Sequence, residues 1–208
     1  MFKPRLEALS DGIFAIVFTL LVIEIKVPEQ LLYRNQTELS HTLIELFPLF
    51  FAYFVSFVVL AMFWMAHSFL YNMLTKTTTR EMMYLNLLFL ALIALVPFSA
   101  HLIGRYLDIN LAVIIYGVHI LLISIVNTAT FFYALNSNEI DTSHNSTRII
   151  KQARIRQILT SSFMMFGIIA AIFSYTSLAF GLYMFPILFN ITPGSLNFVE
   201  KIFGLRFE

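Results

Sequence analysis

Not one cysteine occurs in the 208 residues, which excludes disulfides, thiol catalysis and cysteine-ligated metal. Charge is scarce too: Asp, Glu, Lys and Arg make up 12% of the chain, against roughly 25% in soluble domains. With a mean hydropathy of +0.83, a soluble globular domain is excluded. The histidines (His41, His67, His101, His119 and His144) show neither H-x-x-x-H nor H-E-x-x-H spacing, so no metal site is expected. Hydrolase, phosphate-loop and dinucleotide glycine motifs are missing, and nothing points to an enzyme. No carbonyl filter of the T-V-G-Y-G kind and no ladder of arginines for voltage sensing occur. Neither a cofactor nor a nucleic-acid partner is expected.

What is present is apolar. Hydrophobic residues make up 59% of the chain, with 23 Phe and 9 Tyr, a composition suited to lipid-facing surfaces and interfacial belts. Six runs of spanning length stand out, at 11–26, 46–72, 82–103, 109–135, 157–175 and 178–198. The expectation is an all-α, multi-pass integral membrane protein with one six-span domain over residues 1–208. The first run resembles a signal peptide, but Asp11 interrupts its start and no A-x-A site follows, so a mature first span is expected. Pro186 and Pro193 are expected to bend or break the sixth run. The Asn/Ser/Thr-rich stretch 136–152 reads as a linker.

Orientation follows from Lys and Arg. An even number of spans puts both ends on one side, together with Lys76, Arg80, Arg148, Lys151, Arg154 and Arg156; only Lys26, Arg34 and Arg105 fall opposite. By the positive-inside rule, both termini are cytoplasmic. The opposite mouth carries Glu24, Glu29, Glu38 and Glu45 and favours cations by its field.

The first span is the most informative segment. On a helical wheel centred on Ile16, Leu20, Ile23 and Val27 fall within about 40°, whereas Asp11 lies about 140° away. The reading is a carboxylate held inside the protein and an aliphatic stripe that either lines a passage or packs into a bundle. A passage so lined gates or filters by constriction and dewetting. Polar residues in lipid need partners: Ser10 and Asp11 open the first span, Trp64 and His67 share a face of the second, and Asn86 begins the third. All lie at similar depth, with Arg5 placed to neutralise Asp11. One network fixing the first span to the next two is expected, although Ser10 and Asp11 could merely cap the helix and Trp64 merely anchor at the interface. His101 and His119 read as packing or interfacial residues, and the Asn127–Thr130 stretch as a helix–helix hydrogen-bonding site.

Three stretches match a family in order and spacing: R-L-E-A-L-S-D-G-I-F-A-I at 5–16, F-W-M-A-H-S-F at 63–69 and L-N-L-L-F-L-A-L-I-A-L-V-P-F at 85–98. They resemble the transmembrane protein 175 family of potassium channels in its bacterial form. The resemblance covers about residues 5–135, and the last two spans match by hydropathy alone. Leu9 stands where the family usually has Phe, a swap within apolar residues. The resemblance implies a homotetramer in the bacterial inner membrane that conducts potassium, modestly selectively, through a pore lined by the first span. By position, Ile16 forms the constriction, Leu20 and Ile23 the next layers, and Thr19 a hydroxyl that favours potassium. Arg5, Ser10, Asp11, Trp64, His67 and Asn86 then form the hydrogen-bonded shell. The alternative reading is a proton-coupled or small-solute transporter using Asp11 and His67.

Overall fold

A computed structural model describes residues 3–26, 35–74, 78–137 and 147–191. Helices account for the architecture: α1 (Lys3–Ile23), α2 (Gln36–Glu45), α3 (Phe47–Ser68, continued by a π-helical turn, Phe69–Leu74), α4 (Arg80–Ala94), α5 (Val96–Arg105), α6 (Asn110–Asn136), α7 (Thr147–Ile172) and α8 (Thr176–Ile191). Among the described residues, five segments are long and apolar enough to cross a membrane: Lys3–Ile23, Phe47–Asn72, Arg80–Arg105, Asn110–Asn136 and Thr147–Ile172. Of the sixth expected span, the described residues hold α8 up to Ile191. At 1.5 Å per residue, the 16 described residues of α8 account for about 24 Å of a ~30 Å hydrocarbon core. Pro186 lies inside this helix without ending it. Val27, Glu29, Arg34, Lys76, His144, Pro193 and the segment 192–198 lie outside the described residues.

Two starts differ from the hydropathy reading, and for one reason. Helix α1 begins at Lys3 rather than near residue 11, and α7 at Thr147 rather than 157, inside the expected linker. Charged residues lower hydropathy without opposing helix formation, since Lys, Arg, Glu and Gln are good helix formers. Lys3 and Glu7 form an i,i+4 ion pair at 3.5 Å, and Arg154 lies over the Phe132 ring at 5.5 Å.

The third expected span is two helices. Leu95 (φ −87°, ψ −4°) separates α4 from α5, with Pro97 in the first turn of α5; proline has no N–H to continue the ladder. His119 of α6 clips this break. Its Nε2–H donates to the Leu92 carbonyl at 3.0 Å and its Nδ1 lies 2.8 Å from Ser99 Oγ, one contact on either side of Leu95.

Helices α6, α7 and α8 are locked by one tyrosine. Tyr183 of α8 donates its hydroxyl to the Val113 carbonyl at 3.2 Å and fills notches left by Gly117 and Gly167. A Cβ on Gly117 would collide with the Tyr183 hydroxyl oxygen, and one on Gly167 with its ring. The expected polar contacts of the Asn127–Thr130 stretch are present, because Asn127 Nδ2 and Thr128 Oγ1 each donate to Gln157 Oε1 of α7 at 3.1 Å.

Candidate pore-lining helix and its support

Helix α1 packs on α3, α4 and α5 and is two-faced. Ser10, Phe14, Val17 and Leu21 recur at i, i+4, i+7 and i+11 and are buried, with Phe14 1%, Val17 2% and Leu21 2% exposed. Ile16, Leu20 and Ile23 stand on the opposite side at 59%, 40% and 55% exposure, flanked by exposed Gly12, Ala15 and Thr19. Both aromatic residues of the helix turn from that face. Phe14 meets Phe89 at 6.0 Å between ring centroids, and Phe18 meets Phe57 at 4.7 Å. Exposed faces elsewhere carry large aromatics such as Phe54, Phe98, Phe166 and Phe173, as lipid-facing surfaces do. The exposed face of α1 is aliphatic and small instead, so the stripe does not pack within the subunit.

The buried face is held by a directed chain of hydrogen bonds. His67 Nε2–H donates to Asn86 Oδ1 at 2.8 Å, Asn86 Nδ2 donates to Ser10 Oγ at 3.2 Å, and Ser10 Oγ–H donates to the Leu6 carbonyl at 2.9 Å. Asn86 Oδ1 can only accept, so His67 carries its hydrogen on Nε2. The imidazole stacks on Tyr71 and Phe89, with centroids 4.4 Å and 5.5 Å away. Three helices are tied at one depth in this way: α1 by Ser10, α3 by His67 and α4 by Asn86.

The expected single network is two separate pieces. Asp11 is exposed on the chain's surface rather than held inside, and its Oδ1 accepts from Trp64 Nε1–H at 3.0 Å. On the wheel the buried face centres near +130°, about 90° from Asp11, so the carboxylate lies on the helix flank. The expected pairing with Arg5 is not made within the chain: among the described residues the two form no ion pair. They stand six positions apart, about 9 Å along the axis and about 120° around it. Arg5 instead lines a surface cavity with Thr79, Arg80 and Glu81. No relay joins Asp11 to His67 among the described residues, because the indole of Trp64 only donates and His67 faces Asn86.

Three features escaped the sequence reading. At the far end of α1, Glu24 Oε2 lies 3.3 Å from His101 Nδ1 of α5, beside the last aliphatic layer at Ile23. His119 is a clip rather than a packing residue, a role that Pro97 one turn past its carbonyl partner could have signalled. The tyrosine peg was marked only by two glycines inside apolar runs, a pattern that often means close helix approach.

A family model described as the endosomal/lysosomal potassium channel TMEM175 matches residues 5–97, which hold α1 from Arg5 on, α2 to α4, the first residues of α5 and every residue of the hydrogen-bonded chain. A potassium channel of Streptomyces collinus is 39% identical over 103 residues, 50% of this chain and 48% of that protein. The chain therefore spans about half the length of that curated relative. A potassium channel of a Chryseobacterium species is 29% identical over 196 residues, 93% of this chain and 94% of that protein. The crystal structure of a lysosomal potassium-selective channel TMEM175 homolog from Chamaesiphon minutus superposes with a TM-score of 0.78 at 26% identity, covering 90% of this chain and 95% of that one.

Proposed function

We propose that this chain is a member of the TMEM175 family and a potassium channel whose pore is lined by α1 of four identical subunits. One observation carries the reading: α1 buries one face and leaves an aliphatic face without aromatics on the subunit surface. Four such faces meeting on an axis make a passage narrowed by Ile16, Leu20 and Ile23. An aliphatic neck offers an ion no ligands, so passage depends on wetting and on the cost of shedding hydration water. Potassium is dehydrated more easily than sodium, which gives modest preference without a coordinating filter. In this reading six spans cross the bacterial plasma membrane, α4 and α5 together making the third, the basic end with both termini is cytoplasmic, and potassium ions are the permeant partner.

The test is potassium flux and single-channel current of the chain reconstituted in liposomes. The expected result is discrete current steps, enlarged with weaker potassium preference in Ile16→Asn and diminished in Ile16→Phe. Unchanged flux in both variants overturns the assignment of α1 as the pore helix. Saturable flux without current steps would indicate a transporter instead.

A further inference from the structure

A cavity of about 290 Å³ opens between the second halves of α3 and α6, the first half of α7 and the end of α8. Its walls differ in chemistry. One is hydrocarbon, formed by Met62, Phe63 and Phe69; facing it stand Arg156, Gln152 and Gln157. Gln157 Oε1 is occupied by Asn127 and Thr128, which fixes the amide and turns its NH2 group the other way. That NH2 group and the whole Gln152 amide make no hydrogen bond among the described residues. Arg156 Nη1–H donates to both the carbonyl and the side-chain oxygen of Asn190 at 3.1 Å, and its guanidinium lies over Phe189 at 5.7 Å. The polar wall is therefore a fixed cation beside amide donors, suited to an anion with several acceptor oxygens. A small soluble anion would satisfy that wall and leave the hydrocarbon wall against water. An amphiphile satisfies both. The rim residues Met65 and Ile149 are exposed, and Arg148, Lys151 and Arg154 lie on the adjoining turns of α7, which draws anionic headgroups to the opening.

We propose that this cavity is a binding site for an anionic phospholipid. Its headgroup phosphate lies against Arg156, Gln152 and Gln157, and the upper acyl chain against Met62, Phe63 and Phe69. The site is separate from the exposed face of α1, and its test does not depend on conduction. The full chain is equilibrated in detergent with equal amounts of phosphatidylglycerol and phosphatidylcholine of identical acyl chains, and retained lipid is read by native mass spectrometry. The expected result is several-fold preference for phosphatidylglycerol, reduced in Arg156→Gln and in Gln152→Leu. Ala66→Leu, which narrows the cavity without touching a charge, should lower retention of both lipids. If Arg156→Gln fails to fold, Gln152→Leu and Ala66→Leu decide, since Gln152 bonds nothing among the described residues. Equal retention of the two lipids by the parent chain, or a preference untouched by these variants, overturns the proposal. So does protection from thermal unfolding by inorganic phosphate equal to that given by phosphatidylglycerol.

Discussion

Ser10 and Thr19 are hydroxyls on one helix with opposite surroundings. Ser10 is fully buried, donates to the Leu6 carbonyl and accepts from Asn86. Thr19 stands on the exposed face and donates to the Ile16 carbonyl at 2.7 Å, which leaves its oxygen lone pairs directed away from the backbone. Thr19→Val keeps shape and helix while removing those lone pairs. The expected outcome is lower potassium preference with conduction intact, read as reversal potential under bi-ionic potassium/sodium conditions. Ser10→Ala should leave that potential in place and lower stability instead. It strands a donor of buried Asn86, a loss of about 1–3 kcal/mol, visible as a lower melting temperature in detergent. If Thr19→Val keeps the parent reversal potential, selectivity rests on the aliphatic layers alone.

Among elements, the most demanding packing is the Tyr183 peg between α6, α7 and α8. Gly167 cannot take a Cβ without displacing the Tyr183 ring, and that ring is enclosed by Gly117, Gly167 and the Val113 carbonyl. Gly167→Ala should therefore cost about 1–3 kcal/mol, the usual range for overpacking a filled core. Tyr183→Phe removes one hydrogen bond and should cost about 1 kcal/mol. Thermal unfolding of the two variants in one detergent checks the order, and a Gly167→Ala protein as stable as its parent contradicts the packing described. Gly12 is the contrast. A Cβ there meets nothing within 4 Å, so Gly12→Ala should leave the unfolding of the subunit in place. The broken third span belongs to the same scale: Pro97 opens the backbone, and His119 from another helix fixes where the two halves sit.

For the whole molecule, the proposed pore sets the aliphatic face of α1 and the exposed Asp11–Trp64 pair against neighbouring copies. Four copies around an axis would cover both. The expected solution mass is four times the 24.0 kDa of the chain, measured by light scattering with the detergent contribution subtracted. Asp11→Ala should shift that mass toward smaller species at low protein concentration while the melting of dissociated subunits changes little, because the carboxylate lies outside the subunit core. Loss of the subunit fold itself would mean that Asp11 is structural within the chain.

Several of these features were legible in the residues alone. Low charge and long apolar runs dictate a helical membrane protein, because the backbone must satisfy its own hydrogen bonds in lipid. The spacing of Ile16, Leu20 and Ile23 gives α1 its aliphatic face, and the polar residues at one depth supply partners for Ser10, His67 and Asn86. Hydropathy misplaced the starts of α1 and α7, since it measures transfer into lipid and not the propensity to coil. Only the tertiary structure decided which polar residues meet: bond direction and helix rotation join Ser10 to Asn86 and His67, and set Asp11 aside with Trp64. It also decided that α3, α4 and α5 cover the Phe14 side of α1 and leave the Ile16 side open. A wheel divides a helix into faces; the neighbours that fold against it settle which face is buried.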